Sequence, residues 1–208
     1  MAGQVGTFVA HIGSQQLDLP VTLLSEDLAV ALLITADLDL DVLSRAASEL
    51  AAKLSETPID IVVTAATMGI PLAIEVTKSL GLNKYLVLHK TPKTYLQDAL
   101  CEEVKSITTN KIQTLRLDAA RIKDVQNKSV AFIDDVISTG QSAAAALRLL
   151  RKAGANISVI GTLATENGSY KEILGHDAVL IKALGSLPIF KPTKAPEEQV
   201  KEWEPIYE

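Results

Sequence analysis

Apolar positions along this chain follow two different rhythms. Gly6 to Ile12 and Leu17 to Leu24 are β-rich runs separated by Gly13-Ser14, a pair suited to a hairpin turn. Leu28 to Thr35 predicts a third strand, so residues 1–38 are expected to form a small β-rich cover or hood over one edge of the remaining chain, with a dimer arm as the alternative. From Asp41 the period changes. Val42, Leu43, Ala46, Ala47, Leu50, Ala51 and Leu54 recur at helical spacing, with Asp39 and Asp41 at the start, where acidic groups favour a helix N-terminus. Pro58 closes that region, and Ile59 to Thr64 reads as a short strand. A loop from Ala65 to Gly69 comes next, then a helix with Pro71 in its first turn and a stop near Gly81, then a strand over Tyr85 to Leu88.

Val130 to Ile133 is apolar without alternation, the pattern of a strand buried on both faces in a parallel sheet. Ala143 to Ala153 predicts a helix ending at Gly154, and Ile157 to Ala164 and Ala178 to Leu184 predict two further strands. Strands alternating with helices imply an α/β fold, a mostly parallel sheet flanked by helices, over residues 39–190. Residues 95–118 break the pattern. Val104 to Thr108 and Ile112 to Leu117 alternate around Asn110 and predict a two-stranded flexible flap. Residues 191–208, rich in Pro, Glu and Lys, are expected to be a poorly packed C-terminal extension that Trp203 and Tyr207 anchor at most.

Composition narrows the class. The chain has 208 residues, 48% hydrophobic and 22% charged, which suits one folded domain with a small appendage. A net charge of −5 argues against a general nucleic-acid surface. A single cysteine, Cys101, makes no internal disulfide, and no secretory signal or membrane-length apolar run is evident, so a cytoplasmic location is expected. His11, His89 and His176 stand apart without metal-ligand spacing.

The chemistry concentrates at one stretch, Ser129 to Ser142. The buried strand ends in Asp134 and Asp135, and a short loop from Ile137 to Ser142 leads into the helix. Ligands of open α/β sheets sit at the carboxyl edge of the strands. Backbone N–H groups and three hydroxyls turned toward one point at a helix N-terminus suit a phosphate. The upstream carboxylates are placed to bind sugar hydroxyls. The plainer reading is a strand end followed by a turn and an N-cap.

The run from Phe132 to Ser142, apolar residues, then an acidic pair, then a hydroxyl- and glycine-containing loop, resembles the phosphoribosyl-pyrophosphate (PRPP) signature of the type I phosphoribosyltransferases. The layout is closest to the adenine (purine) phosphoribosyltransferases. The resemblance implies transfer of a 5-phosphoribosyl group from PRPP to a purine base, adenine first, with release of pyrophosphate. It assigns Asp134 and Asp135 to the ribose hydroxyls and the cationic sugar, and Ile137, Ser138, Thr139, Gly140, Gln141 and Ser142 to the 5-phosphate. Thr67, Met68 and Gly69, with Lys90 and Lys93, fall where the family binds pyrophosphate, although loop lysines are also ordinary solvated charge. Val136 and Ile137 would pack against the base, and the N-terminal strands or Ala183 to Phe190 would supply further contacts, unless Leu187, Ile189 and Phe190 are plain core. Mg2+ would be held mainly by PRPP oxygens and water rather than by protein ligands. The resemblance implies a homodimer and no nucleic-acid or membrane partner. Departures stand beside these matches. Ala66 and Met68 replace an acidic residue and a frequent arginine, and Thr108 falls where adenine enzymes carry a proton-donating glutamate. They motivate an alternative, a PRPP- or nucleotide-sensing regulator with weak or no transferase activity. A third reading is a PRPP enzyme acting on orotate or another pyrimidine.

Overall fold

The computed structural model describes residues 3–94, 98–104, 113–193 and 203–207. Its centre is a five-stranded parallel sheet in the order β10-β9-β8-β4-β5. These strands are β4 (Ile61–Ala65), β5 (Tyr85–Leu88), β8 (Ser129–Ile137), β9 (Asn156–Glu166) and β10 (Ile181–Leu187). All five residues of β4 are buried, as are Val130 to Ile133 of β8, which accounts for their unbroken apolar runs. On one face lie α1 (Leu40–Leu54) and α2 (Gly69–Ser79). α1 buries Leu43, Ala46, Ala47, Leu50, Ala51 and Leu54, the stripe expected from its period, and carries Asp41 in its first turn and Lys53 in its last, as the helix dipole favours. The other face is covered by α4 (Gln141–Lys152), whose alanines and leucines pack on Val63, Val130, Phe132 and Ile160. Short α3 (Ile122–Val125) and α5 (Tyr170–Leu174) were not anticipated, being too brief to show a period.

A second, antiparallel sheet runs β1-β2-β3-β11-β12 and packs on the α1/α2 side. It contains β1 (Gln4–Ile12), β2 (Gln15–Ser25), β3 (Leu28–Ala31), β11 (Ile189–Pro192) and β12 (Trp203–Ile206). The Gly13-Ser14 turn joins β1 to β2 as expected. Its tip is fastened to the core by Gly13 N–H to the Leu184 carbonyl at 3.1 Å and Ser14 N–H to Glu49 Oε2 at 2.9 Å, beside a bond from Lys53 Nζ of α1 to the Ala183 carbonyl of β10 at 2.8 Å. Gly185 permits the approach, since a Cβ there would lie 2.3 Å from the His11 carbonyl oxygen.

Several expectations need correction. β3 stops at Ala31 rather than Thr35, because the chain turns through a single 3-10 turn, Thr35–Asp37, into α1. β10 starts at Ile181 rather than Ala178, because Gly175–Leu180 form a 3-10 helix ahead of it. β11 crosses the expected 190/191 boundary, pairing with β3 through Ile189↔Val30, and β12 closes the sheet edge against β11. Pro205 is tolerated because β12 is an edge strand. The flap residues form a hairpin of β6 (Leu100–Val104) and β7 (Gln113–Leu117), so its first strand begins upstream of the expected Val104. The register is set by burial of Val104, Leu115 and Leu117 against α4 and by Glu102, which accepts from Arg148 Nε at 2.7 Å and from Lys152 Nζ. Residues 105–112, including Thr108, lie outside the described residues. Among the described residues no helix is long and apolar enough to cross a membrane.

Candidate active site

Parallel pairing of β4 with both β5 and β8 brings the carboxyl ends of these three strands to one rim. A pocket of about 230 Å³ opens there, lined by Ala65 to Met68, Lys90 and the continuous run from Asp134 to Ala143. Sequence-predicted residues Thr67, Met68, Lys90, Asp134, Asp135, Val136, Ile137, Ser138, Thr139, Gly140, Gln141 and Ser142 thus share one cavity. Gly69 and Lys93 do not line it. Lys93 is exposed. Gly69 instead backs the acidic pair, since a Cβ there would fall 2.3 Å from Thr64 Oγ1 and 2.9 Å from Asp134 Oδ1. The Ile137 side chain is buried in the core beside α4, which leaves its backbone to face the pocket.

The loop after β8 is built for close approach. Gly140 has φ +79° and caps α4, and a Cβ there would meet Tyr170 Cβ at 3.1 Å and its carbonyl oxygen at 3.3 Å. The first N–H groups of α4 have no intrahelical partner and lie at the pocket wall with Gln141 and Ser142. Ser138 is the exception within the loop, because its hydroxyl donates to Glu166 Oε2 at 2.5 Å. That bond occupies the proton that the 5-phosphate assignment would have used. Glu166 itself was not picked out from sequence. It ends β9, is buried, and its carboxyl is pushed above the usual range by burial, an effect partly offset by the Ser138 hydrogen bond.

Burial, and then the adjacent Asp135 charge, hold the Asp134 carboxyl well above the ordinary aspartate range, while Lys90 pulls the other way. Burial also raises Asp135, against hydrogen bonds from Asp134 and backbone amides that lower it. Both carboxyls therefore bind a proton more readily than isolated aspartates do, Asp134 the more strongly. Thr162 Oγ1 donates to the Asp135 carbonyl at 2.8 Å and fixes the backbone that follows the two acids.

On the opposite wall, Ala66 N–H donates to the Leu88 carbonyl at 2.9 Å and the Ala66–Thr67 peptide is cis. Lys90 lies just beyond β5, and Arg116 of β7 donates to its carbonyl at 3.0 Å. His89, paired through its backbone with Arg116, has its imidazole lowered by burial and then by the nearby Lys93 charge. Arg116 and Thr35 escaped sequence reading because each acts through a main-chain carbonyl of another segment.

Comparisons with known proteins agree with this architecture. A family model described as the phosphoribosyl transferase domain matches residues 39–191. The hypoxanthine/guanine phosphoribosyltransferase of Methanococcus voltae is 32% identical over 148 residues, covering 70% of this chain and 72% of that protein. The purine biosynthesis transcriptional repressor PurR of Bacillus subtilis is 32% identical over 127 residues, 61% of this chain, but the chain spans only 44% of the repressor's length. Among solved structures, the APRTase of Giardia lamblia complexed with 9-deazaadenine superposes with a TM-score of 0.60 at 21% identity, covering 76% of this chain and 93% of that one. The adenine phosphoribosyltransferase of Rhodothermus marinus gives 0.59 at 24% identity, over 68% and 78%. The family model takes in most of the chain, and the acidic pair with its loop lies inside the matched region, so this protein belongs to the phosphoribosyl transferase domain family.

Proposed function

We propose that this chain transfers the 5-phosphoribosyl group of PRPP to a ring nitrogen of a purine base, releasing pyrophosphate. The observation that carries the reading is the single pocket whose walls combine the Asp134-Asp135 pair, the Thr139 to Ser142 loop at the start of α4, and Lys90 with Thr67 and Met68. In this reading the N–H groups of the loop and the Thr139 and Ser142 hydroxyls hold the 5-phosphate at the positive end of α4. Asp134 and Asp135 take the ribose hydroxyls, and their shared negative charge favours a sugar that becomes cationic as the C1–O bond lengthens. Lys90 balances charge gathering on the leaving pyrophosphate. The residues fit Mg2+ held chiefly by ligand oxygens and water: the pocket offers only two adjacent carboxylates, and the described residues contain no cluster of three or more ligating side chains. Bound there, the ion would draw charge from the departing pyrophosphate.

The order of elements favours adenine as the base, whereas the sequence relatives named for hypoxanthine/guanine and xanthine favour a 6-oxopurine. The decisive assay supplies PRPP, magnesium and one of adenine, hypoxanthine, guanine or xanthine, and follows both nucleotide and pyrophosphate. Turnover with one purine is expected. A folded protein that binds PRPP but turns over none of the four would sink the transferase reading. The similarity to PurR then favours the second reading, a PRPP-binding regulator, tested by whether PRPP changes binding to DNA or to a protein partner. A homodimer is proposed for either reading, and sedimentation velocity tests it.

A further inference from the structure

Thr35 lies outside the matched family region, between the N-terminal sheet and α1, yet it touches the pocket's pyrophosphate side. Its side chain is 1% exposed, and its hydroxyl donates to the carbonyl of Met68, the residue that caps α2 and lines the pocket with Thr67. The turn that holds it is seated firmly. Leu33 and Leu38 flank it in the same apolar cluster as Leu72 and Ala73 of α2, and Asp37 N–H donates to the Ile34 carbonyl at 3.1 Å. A trans peptide is planar, with its C=O and N–H on opposite sides. Anchoring the Met68 carbonyl therefore fixes the plane of the peptide that follows the two pocket-lining residues Thr67 and Met68. The anchored peptide has little room to rotate, because Gly69 already abuts Thr64 and Asp134.

We infer that Thr35 is a positioning residue for the pyrophosphate loop, through which the N-terminal sheet orients the leaving-group side of the site. The inference rests on the proposed function only in taking the Thr67 and Met68 wall as the pyrophosphate side, so its test uses binding rather than turnover. Thr35→Val keeps the shape and removes the hydroxyl, so the Met68 carbonyl loses its link to the N-terminal sheet. Thr35→Ser keeps the donor. Calorimetric titration of each full-length protein with magnesium pyrophosphate and, separately, ribose 5-phosphate reads the two halves of the pocket.

Thr35→Val is expected to weaken pyrophosphate by about tenfold, the upper scale of one lost hydrogen bond. Ribose 5-phosphate affinity should stay unchanged, and Thr35→Ser should restore the wild-type value. Should the valine variant not fold, Thr35→Ala reads the same quantity. Equal pyrophosphate affinity in wild type and variant, or parallel weakening of both ligands, overturns the inference while leaving the proposed function standing. A wild-type protein that binds ribose 5-phosphate but not pyrophosphate removes the wall's assignment itself, and with it both readings.

Discussion

Replacing Asp134 with asparagine separates the demands of binding from those of folding. The native carboxyl is raised by burial and by its neighbour Asp135, so at neutral pH an ionised Asp134 is a cost to the folded chain. Asparagine keeps the shape and an Oδ1 that can still accept from the Asp135 N–H, a contact of 3.2 Å in the native protein. Each tenfold of proton affinity that Asp134 gains on folding is worth about 1.4 kcal/mol, and for a chain of this size each kcal/mol moves the melting midpoint by about 2–4 °C. Linkage sets the sign with pH. Between the unfolded aspartate value, about 3.9, and the raised folded value, the folded chain holds a proton that the unfolded chain has lost, so native stability falls as pH rises through that window. Asp134→Asn lacks this slope. Its advantage over wild type should be absent in acid, grow as pH rises and level off once native Asp134 ionises. Thermal melts from acid to mildly alkaline pH, paired with PRPP turnover, test this. The variant should be more stable at neutral pH and nearly inactive. A variant less stable than wild type at neutral pH, with a difference that does not change with pH, would refute the argument that Asp134 is held for ligand rather than for the core.

Other perturbations read the remaining parts of the frame. Gly140→Ala imposes a left-handed conformation on a residue with a Cβ and presses it against Tyr170, so a loss of about 1–2 kcal/mol in denaturant unfolding should accompany weaker ribose 5-phosphate binding. Gly185→Ala drives a Cβ toward the His11 carbonyl and should cost about 1–3 kcal/mol by lifting the β1-β2 turn from β10, seen as faster hydrogen exchange in that hairpin. Glu102→Gln removes the partner of Arg148 and Lys152. Those hydrogen bonds, from Lys152 first and then Arg148, hold the Glu102 carboxyl below its usual range, so their contribution exists above the unfolded value and is lost as pH falls through the folded one. The variant should lose no more than about 1 kcal/mol at neutral pH and match wild type in acid.

The parts of this protein that were legible in sequence are those whose cause is local. β8, the acidic pair and the Gly140 loop announce themselves because an unbroken apolar run, two carboxylates and a helix start are adjacent in the chain. α1 showed its buried stripe for the same reason. β11 and β12 were not legible, because β11 is held by pairing with the distant β3 and β12 by pairing with β11 rather than by any local pattern. Glu166 resembled any acidic residue at a strand end until Ser138, 28 positions away, was seen to donate to it. The start of the flap's first strand was missed because alternation alone fits several bounds, whereas Leu100–Val104 is held by pairing with β7 and by Glu102 against α4.

These contacts divide the pocket into halves with different dependencies. The half proposed for the sugar phosphate is built within one stretch, from β8 through its loop into α4, and is braced by Thr162 and Glu166 of β9. The opposite half takes its geometry from elsewhere. Thr35 comes from the segment leaving the N-terminal sheet, and Arg116, which fixes the Lys90 carbonyl, comes from the β6-β7 hairpin. Disturbance of either peripheral sheet should therefore be felt first on the wall proposed for pyrophosphate, as a change in its affinity, while the loop from Thr139 to Ser142 keeps its shape. A chain that needs to alter turnover without losing its hold on a phosphoribosyl group has, in those two sheets, the places at which such a change disturbs the fewest other contacts.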